Sequence, residues 1–391
     1  MNYTKPSYYD QFECIAGECP DTCCAGWEIV IDDETMQRYK NLKGGVGEYI
    51  MSNVDVEEGV YKRCGTRCAF LNSDNLCDLI INSGEDKLCK TCDKYPRHFE
   101  EYGNLLESLI SLSCPVAARM IIDREERDSF VSYSDDKAPL SKDVDKALLE
   151  GIHWIREKVF DILGDRNDDI NTRIKRILAV GEATQPFVYE YGKMGAKKYI
   201  PFVRKKKMNS ILQVLQKEDC LEICDKYIKQ KGNIEKVQSL MKSCMEMYTS
   251  LENINDKWPA MIEEVISTLY NGLSEVEYLS LREEFLAYMK NREYEYEHML
   301  IYFIYAYLLG GVYDYNVQGM IKFSVISVLV IREIGFAHWI KNNRQFTVED
   351  QIRYSYLFSR QVEHSSNNVL CLEGIFTAHP LFCIERIYDI L

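Results

Sequence analysis

Residues 14–24 read Cys-Ile-Ala-Gly-Glu-Cys-Pro-Asp-Thr-Cys-Cys, placing four sulfurs within eleven residues. Turns at Gly17 and Pro20 reverse the chain between them, so two or three thiolates can be aimed at one point. Side chains of adjacent residues diverge. Cys23 and Cys24 are therefore not expected to serve the same metal: one ligates while its neighbour packs or serves a second centre. More sulfurs follow at Cys64, Cys68, Cys77, Cys89, Cys92 and Cys114, so that ten of the 15 cysteines precede residue 115. The opening Met1–Glu13 has no basic stretch followed by an apolar run, and the cysteine total is odd. A secreted disulfide framework is disfavoured, and a cytoplasmic, reducing setting is expected, where dense short-spaced cysteines turn to metal or cluster ligation. The candidate ligands are Cys14, Cys19, Cys23, Cys24, Cys68, Cys77, Cys89 and Cys92, with Cys64 as a further one. Thiolates suit zinc and iron–sulfur clusters alike, and spacing alone does not decide between them.

Outward from this segment the chain changes character. Residues 1–120 form a Cys-rich region of short elements, in which Trp27-Glu28-Ile29-Val30-Ile31 reads as one short strand. A polar linker spans about 121–140, and 141–391 reads as an irregular multi-helix domain, so the fold class is mainly α. Ser141 is a plausible N-cap for a helix carrying Val144, Leu148, Ile152, Ile155, Val159 and Ile162 on one face, ended by Gly164. Pro259 opens another helix. Further helical patterns cover about 168–182, 208–230, 233–252, 275–292, 296–310, 317–334, 347–363 and 379–390. Cys220, Cys224, Cys244, Cys371 and Cys383 sit in these apolar or helical contexts and are read as packing residues.

With 391 residues, 46% hydrophobic and 28% charged, the chain can bury a substantial core. The net charge is -14, with 12 basic against 20 acidic residues up to position 120 and 35 against 41 after it. Neither part is basic, which disfavours nucleic acid and anionic membranes as partners. The longest uncharged apolar run, Met299–Tyr313, has 15 residues. That is short of the roughly 18 needed to span a bilayer, so it reads as a buried helix. Arg204-Lys205-Lys206-Lys207, with Lys197 and Lys198 upstream, reads as a solvated linker between helices.

The spacing Cys14…Cys19…Cys23-Cys24, then Cys68-x-Phe70-Leu71-x5-Cys77, then Cys92-x2-Tyr95-Pro96-Arg97 resembles the CxxCxxCC zinc or iron–sulfur superfamily. The leading gaps here are wider than the superfamily's. Leu112-Ser113-Cys114-Pro115-x-Ala117-Ala118-Arg119 and the distal Ser359-Arg360-Gln361-Val362-Glu363-His364-Ser365 are similar to its flagellin lysine-N-methylase branch. The likeness is carried by residues 7–120, is thin through the helical middle and returns at 359–365.

This resemblance implies a bacterial protein-lysine N-methyltransferase acting on flagellin, with S-adenosylmethionine as methyl donor and an iron–sulfur centre (4Fe-4S), or zinc as the alternative. It implies His364 and Glu363 as candidate catalytic residues and Tyr95, Arg97 and Arg360 as candidate cofactor-binding residues. Methyl transfer to lysine needs a neutral amine, so a site must lower an amine pKa from about 10.4 by desolvation or a nearby base. A sulfonium donor favours aromatic faces. A Rossmann-type donor site would show a glycine-rich turn between strand and helix. The nearest string, Lys43-Gly44-Gly45-Val46-Gly47, reads as a surface turn. Arg97 is equally well read as pairing with Glu100 or Glu101, and His153, His298, His338 and His379 as packing or surface residues. Two other classes compete: a metal-stapled protein-binding module, and an iron–sulfur redox or radical enzyme. The latter ranks last, because Cys19-x3-Cys23-Cys24 supplies only the first gap of the Cys-x3-Cys-x2-Cys radical signature.

Overall fold

A helix with apolar side chains on every side has to be buried all round, and Val317–Lys341 is one, with Lys322, Arg332 and Glu333 buried among them. Every residue from Val317 to Ala337 except Gln318 is buried. This central helix packs against Ile170–Gly195, Glu293–Tyr307, Val348–Glu363 and Ser366–Ala378. Lys146–Leu163, Val237–Tyr248, Trp258–Val265, Glu275–Met289 and Ile384–Ile390 complete a mainly helical body. The computed structural model describes residues 1–138, 144–195 and 237–391. The helical pattern at 208–230, the basic run, Cys220, Cys224 and Ser141 lie outside them.

Several expected helices are present with shifted ends. The helix expected after Ser141 runs Lys146–Leu163, and its N-cap is Asp145, whose carboxylate accepts from the backbone N–H groups of Ala147 and Leu148. Pro259 sits in the first turn of Trp258–Val265, which continues into a π-helical turn, Ile266–Asn271. The apolar run Met299–Tyr313 begins in the buried helix Glu293–Tyr307 and continues through a 3₁₀ turn, Leu308–Gly310, into the short helix Gly311–Asp314. Among the described residues no helix is long and apolar enough to cross a membrane.

The N-terminal third differs from its sequence reading. A four-stranded sheet orders Arg97–Tyr102, Leu105–Ile110, Asn2–Pro6 and Phe130–Ser134 side by side. Asn2 lies opposite Leu105 in a parallel pair and opposite Ser134 in an antiparallel one. Residues 121–140, read as a linker, thus supply the sheet's edge strand. Trp27–Ile31 is not a strand; Val30 makes a single bridge to Val60, while Ile29 and Ile31 turn inward. Lys43–Gly47 is not a plain turn either: Gly44, at φ +81°, caps the helix Gly45–Ser52, with no strand before it.

Two hydrophobic cores result. The large one joins the helices to Tyr8, Tyr9, Phe12, Tyr102, Leu109 and the helix Pro115–Ile122. The small one holds Ile29, Ile31, Met36, Tyr39, Ile50, Val54, Tyr61, Phe70 and Leu79 together with Cys68 and Cys89. The cysteine-bearing unit is therefore set apart at about residues 24–92, while the sheet and both its flanks belong to the helical body.

One glycine shows how closely the helices approach. A Cβ at Gly192 would lie 2.4 Å from the ring of Tyr315, which is itself held at φ +62°. Gly192→Ala is expected to destabilise the protein by about 1–3 kcal/mol through overpacking, against the roughly 1 kcal/mol that alanine gains by helix propensity. Urea unfolding checks this; an unchanged or raised midpoint would show that Tyr315 swings away freely.

Candidate functional site

Four backbone segments bring the thiols of the small core together. The carbonyl of Cys24 accepts from the backbone N–H of Cys68, tying the first cysteine turn to the hairpin formed by Arg63–Cys64 and Arg67–Cys68. Cys77 and Cys89 stand at the N-caps of Asp78–Ser83 and Lys90–Lys94, and Cys92 lies inside the latter. All thirteen described cysteines are free. Contrary to the expectation that adjacent side chains diverge, the Cys23 and Cys24 sulfurs are 3.9 Å apart.

Proton sharing sorts these thiols. The side-chain hydrogen bond between Cys23 and Cys24 lowers the Cys23 thiol and raises that of Cys24. The one between Cys89 and Cys92 lowers Cys89 and raises Cys92. Burial pushes Cys68 up to about 11, and a charge on Cys77 or Cys89 adds to that. Charge on Cys68 or Cys77 also raises Cys24, and charge on Cys24 or Cys68 raises Cys92. The thiols of Cys24, Cys68, Cys77, Cys89 and Cys92 are thus within electrostatic reach of one another, and charge on Cys23 in turn raises Cys24, Cys68 and Cys77. The setting resists several bare thiolates; a bound cation would invert that preference. In donor chemistry and number they suit a thiolate-ligated centre. As the side chains stand, no group of three or more His, Cys, Asp or Glu among the described residues is placed to hold a metal ion.

The other predicted ligands lie elsewhere. Cys14 is exposed and its sulfur accepts from the Ala16 backbone N–H. Cys19 is half-buried, with its thiol raised first by burial. Cys64 is exposed at its hairpin. Cys114, not among the predicted ligands, caps Pro115–Ile122 and is buried, its thiol pushed up to about 11 by burial with Cys19 and Cys23 adding to the shift. Of the cysteines read as packing residues, Cys244 is buried but Cys371 is exposed, on the outer side of Ser366–Ala378.

The last two turns of Val348–Glu363 meet this region. Arg360 donates through Nε to the Ser113 carbonyl at 2.8 Å and pairs through Nη1 with Asp21 at 3.1 Å. His364, the C-cap of that helix, packs against Trp27 with the rings tilted by 39° and 4.7 Å between centroids, and with Tyr95 edge-on at 6.1 Å. Tyr95 hydroxyl and Ser113 Oγ are 3.0 Å apart, and Trp27 Nε1 donates to the Cys23 carbonyl. Desolvation, with Arg360 adding to it, pushes His364 down to about 3, so its imidazole is neutral and a weak proton acceptor. A side chain that weak cannot take a proton from an alkylammonium to useful extent. Glu363 turns away from the sulfurs: Tyr302 and Tyr307 both donate to its Oε2 at 2.9 Å, and burial raises its carboxyl. Arg97 joins none of this. Its Nη2 donates to the Phe12 carbonyl and its guanidinium lies 5.1 Å from the Phe12 ring, pairing with neither Glu100 nor Glu101; His98 is the residue bonded to Glu100.

Of the predicted residues, then, Arg360, His364 and Tyr95 converge beside Cys19 and Cys23, while Arg97 and Glu363 do not. Trp27, Asp21 and Ser113 complete the group. A cavity of about 110 Å³ opens here, lined by Asp21, Ala25, Gly26, Thr66, Ile254–Lys257, Arg360 and His364. Asp21 and Trp27 carried a local signal by lying near Cys19 and Cys24, and Ser113 by standing in the likeness at Leu112–Arg119.

A family model described as the FliB lysine N-methylase C-terminal domain matches residues 156–388. It contains Arg360, Glu363 and His364 and covers the helical middle, where the sequence likeness had been thinnest. The flagellar biosynthetic protein FliU of Salmonella muenchen is 29% identical over 149 residues, covering 34% of this chain and 88% of that protein. The lysine-N-methylases of Salmonella typhimurium and Salmonella choleraesuis are 28% and 29% identical over 133 residues, in each case 32% of this chain. The match spans a third of the length of each methylase. No solved structure matches. With a family model spanning more than half of its length, the chain belongs to the FliB lysine N-methylase family.

Proposed function

We propose that this protein transfers methyl groups from S-adenosylmethionine to lysine side chains of flagellin in the bacterial cytoplasm. The family match over residues 156–388 carries the reading, because the helix ending at Glu363 that it contains is the one that meets the cysteine unit. We further propose an iron–sulfur centre, with zinc as the alternative, held by thiols drawn from Cys24, Cys68, Cys77, Cys89 and Cys92. Such a centre would supply electrons or Lewis acidity.

What the chain's own residues do is positional. Trp27, Tyr95 and the neutral His364 form an aromatic wall that tolerates a sulfonium or an alkylammonium without adding a charge of its own. Desolvation against such a wall lowers an amine pKa toward its nucleophilic form. Arg360 locks the cysteine turn, through Asp21, and the Ser113 loop to one helix, fixing the distance between donor and acceptor. His364 is assigned to this wall rather than to proton transfer, and Glu363 to holding Tyr302, which accepts from the Leu112 backbone N–H, and Tyr307.

The test is anaerobic incubation of the purified protein with flagellin and S-adenosylmethionine, read by intact-protein mass. The expected result is donor-dependent gain of one or more methyl groups, with visible absorbance and iron in the preparation. Cys89→Ser is expected to lose most of the metal and at least about tenfold in methylation rate, since removing even a residue that only hydrogen-bonds to a metal ligand costs that much. Flagellin unchanged in mass by metal-replete protein would overturn the enzyme reading. Undiminished methylation by metal-free Cys89→Ser would remove the centre from the reaction.

A further inference from the structure

Arg360 carries a defect that asks for a ligand. The residue is 6% exposed, Nε and Nη1 are engaged, and Nη2 is buried without an acceptor among the described residues. An unpaired donor on a buried guanidinium costs free energy that native structures rarely leave unanswered. Arg360 lines the cavity between the cysteine turn and the Ile254–Lys257 segment, and so does Lys257, whose Nζ reaches Asp21 at 3.3 Å. We propose that this cavity is a receptor for the carboxylate and ammonium of an α-amino acid, and that it seats the amino-acid end of the methyl donor; the second clause rests on the donor reading above.

Charge and size select that class. Two cations, Arg360 and Lys257, face two carboxylates, Asp21 and Asp256, with Asp256 Oδ2 accepting from the Thr66 hydroxyl at 2.9 Å. A phosphate would meet both carboxylates and a bare ammonium both cations, whereas a zwitterion answers each pair. The carboxylate belongs on the Arg360 and Lys257 side and the ammonium on the Asp256 side. A volume of about 110 Å³ equals roughly four waters' share of liquid. That suffices for a carboxylate, an ammonium and the carbon joining them, but not for a nucleoside. The remainder of a donor would leave past the neutral His364 and the Trp27 ring tilted against it. Gly26 makes the enclosure feasible. At φ +93°, its missing Cβ would stand 2.8 Å from the Ile254 carbonyl oxygen, so a larger residue would hold the walls apart.

Calorimetric titration of the metal-replete protein with S-adenosylmethionine, L-methionine and L-methioninol tests this. The first two are expected to bind, and methioninol, which lacks the carboxylate, to bind at least about tenfold more weakly. Arg360→Gln should weaken the first two by a similar factor. Lys257→Gln, on an exposed side chain that leaves folding intact, should weaken them several-fold. Equal donor binding by wild type and both variants overturns the cavity assignment and spares the donor reading. Arg360-dependent L-methionine binding without any S-adenosylmethionine binding keeps the receptor and removes the donor. Loss of iron from Arg360→Gln, with donor affinity kept in Lys257→Gln, would instead place the unpaired Nη2 against the sulfur centre and overturn the proposal.

Discussion

Glu107→Ala is expected to destabilise the protein by about 3–5 kcal/mol, the usual consequence of leaving one member of a buried ion pair uncompensated. Glu107 lies on the inner face of the strand Leu105–Ile110, and its two oxygens accept from both terminal nitrogens of Arg156 at 2.6 and 2.7 Å. The pair is almost wholly buried, with 1% and 2% of the side chains exposed. Arg156 also lies 5.0 Å from the Tyr305 ring and contributes an Nε with no acceptor among the described residues. The removed carboxylate therefore strands a full charge between the sheet, Lys146–Leu163 and Glu293–Tyr307. Replacing both partners at once, Glu107→Leu with Arg156→Met, is expected to recover most of the loss, since apolar substitutes of similar volume can match a buried pair. Chemical denaturation of the single and double variants measures both. A single-variant loss below about 1 kcal/mol, the range of an exposed pair, would show that water reaches Arg156.

The position of this pair explains why the sheet escaped sequence reading while the helices did not. Helices such as Lys146–Leu163 and Val348–Glu363 present one apolar face at a 3.6-residue period, which survives in the sequence whatever they pack against. The strands lack the matching two-residue signature. Asn2–Pro6 is mostly half-buried on both faces, Phe130–Ser134 is largely exposed at the edge, and the inner strand spends an inward position on a glutamate. Arg97–Tyr102 and Leu105–Ile110 form a local hairpin, but Asn2–Pro6 pairs on both sides with residues more than a hundred apart, and no local pattern encodes that. The boundary at 120 failed for the same reason, because cysteine density marks the small core and not the chain that surrounds it.

The candidate site was legible in part. Short cysteine spacings drew Cys89 with Cys92, which the structure places at one short helix, and the likeness at 359–365 drew attention to Arg360 and His364. Arg97 was misplaced because it opens a strand, Arg97–Tyr102, and its side chain follows that strand toward Phe12 rather than toward Cys92. Lys257 and Asp256 gave no signal at all. They sit in a loop just before Trp258–Val265, and only the docking of the cysteine turn on that loop makes them neighbours of Asp21.

That docking makes His364 the residue whose protonation should matter most as the pH falls. Its folded pKa is about 3, against an ordinary 6.5. Above 6.5 the imidazole is neutral in both states and adds no pH dependence. Below it the unfolded chain takes up a proton that the folded site refuses, so stability declines as pH falls from 6.5 toward 3. At pH 5 the loss is about 2 kcal/mol relative to pH 7.5, one pKa unit being worth about 1.4 kcal/mol. The refusal comes first from desolvation between Trp27 and Tyr95 and then from Arg360 on the same helix; Asp21, Asp256 and Lys257 are the other charged groups around the cavity. His364→Gln keeps a polar side chain but cannot titrate, so its urea midpoint should fall less steeply between pH 7.5 and 5 than that of the wild type. Carboxylates elsewhere contribute equally to both curves, and the difference between them isolates His364. Superimposable slopes would mean that water enters between Trp27 and the imidazole, and the aromatic wall would lose the neutrality that the proposed methyl transfer requires of it.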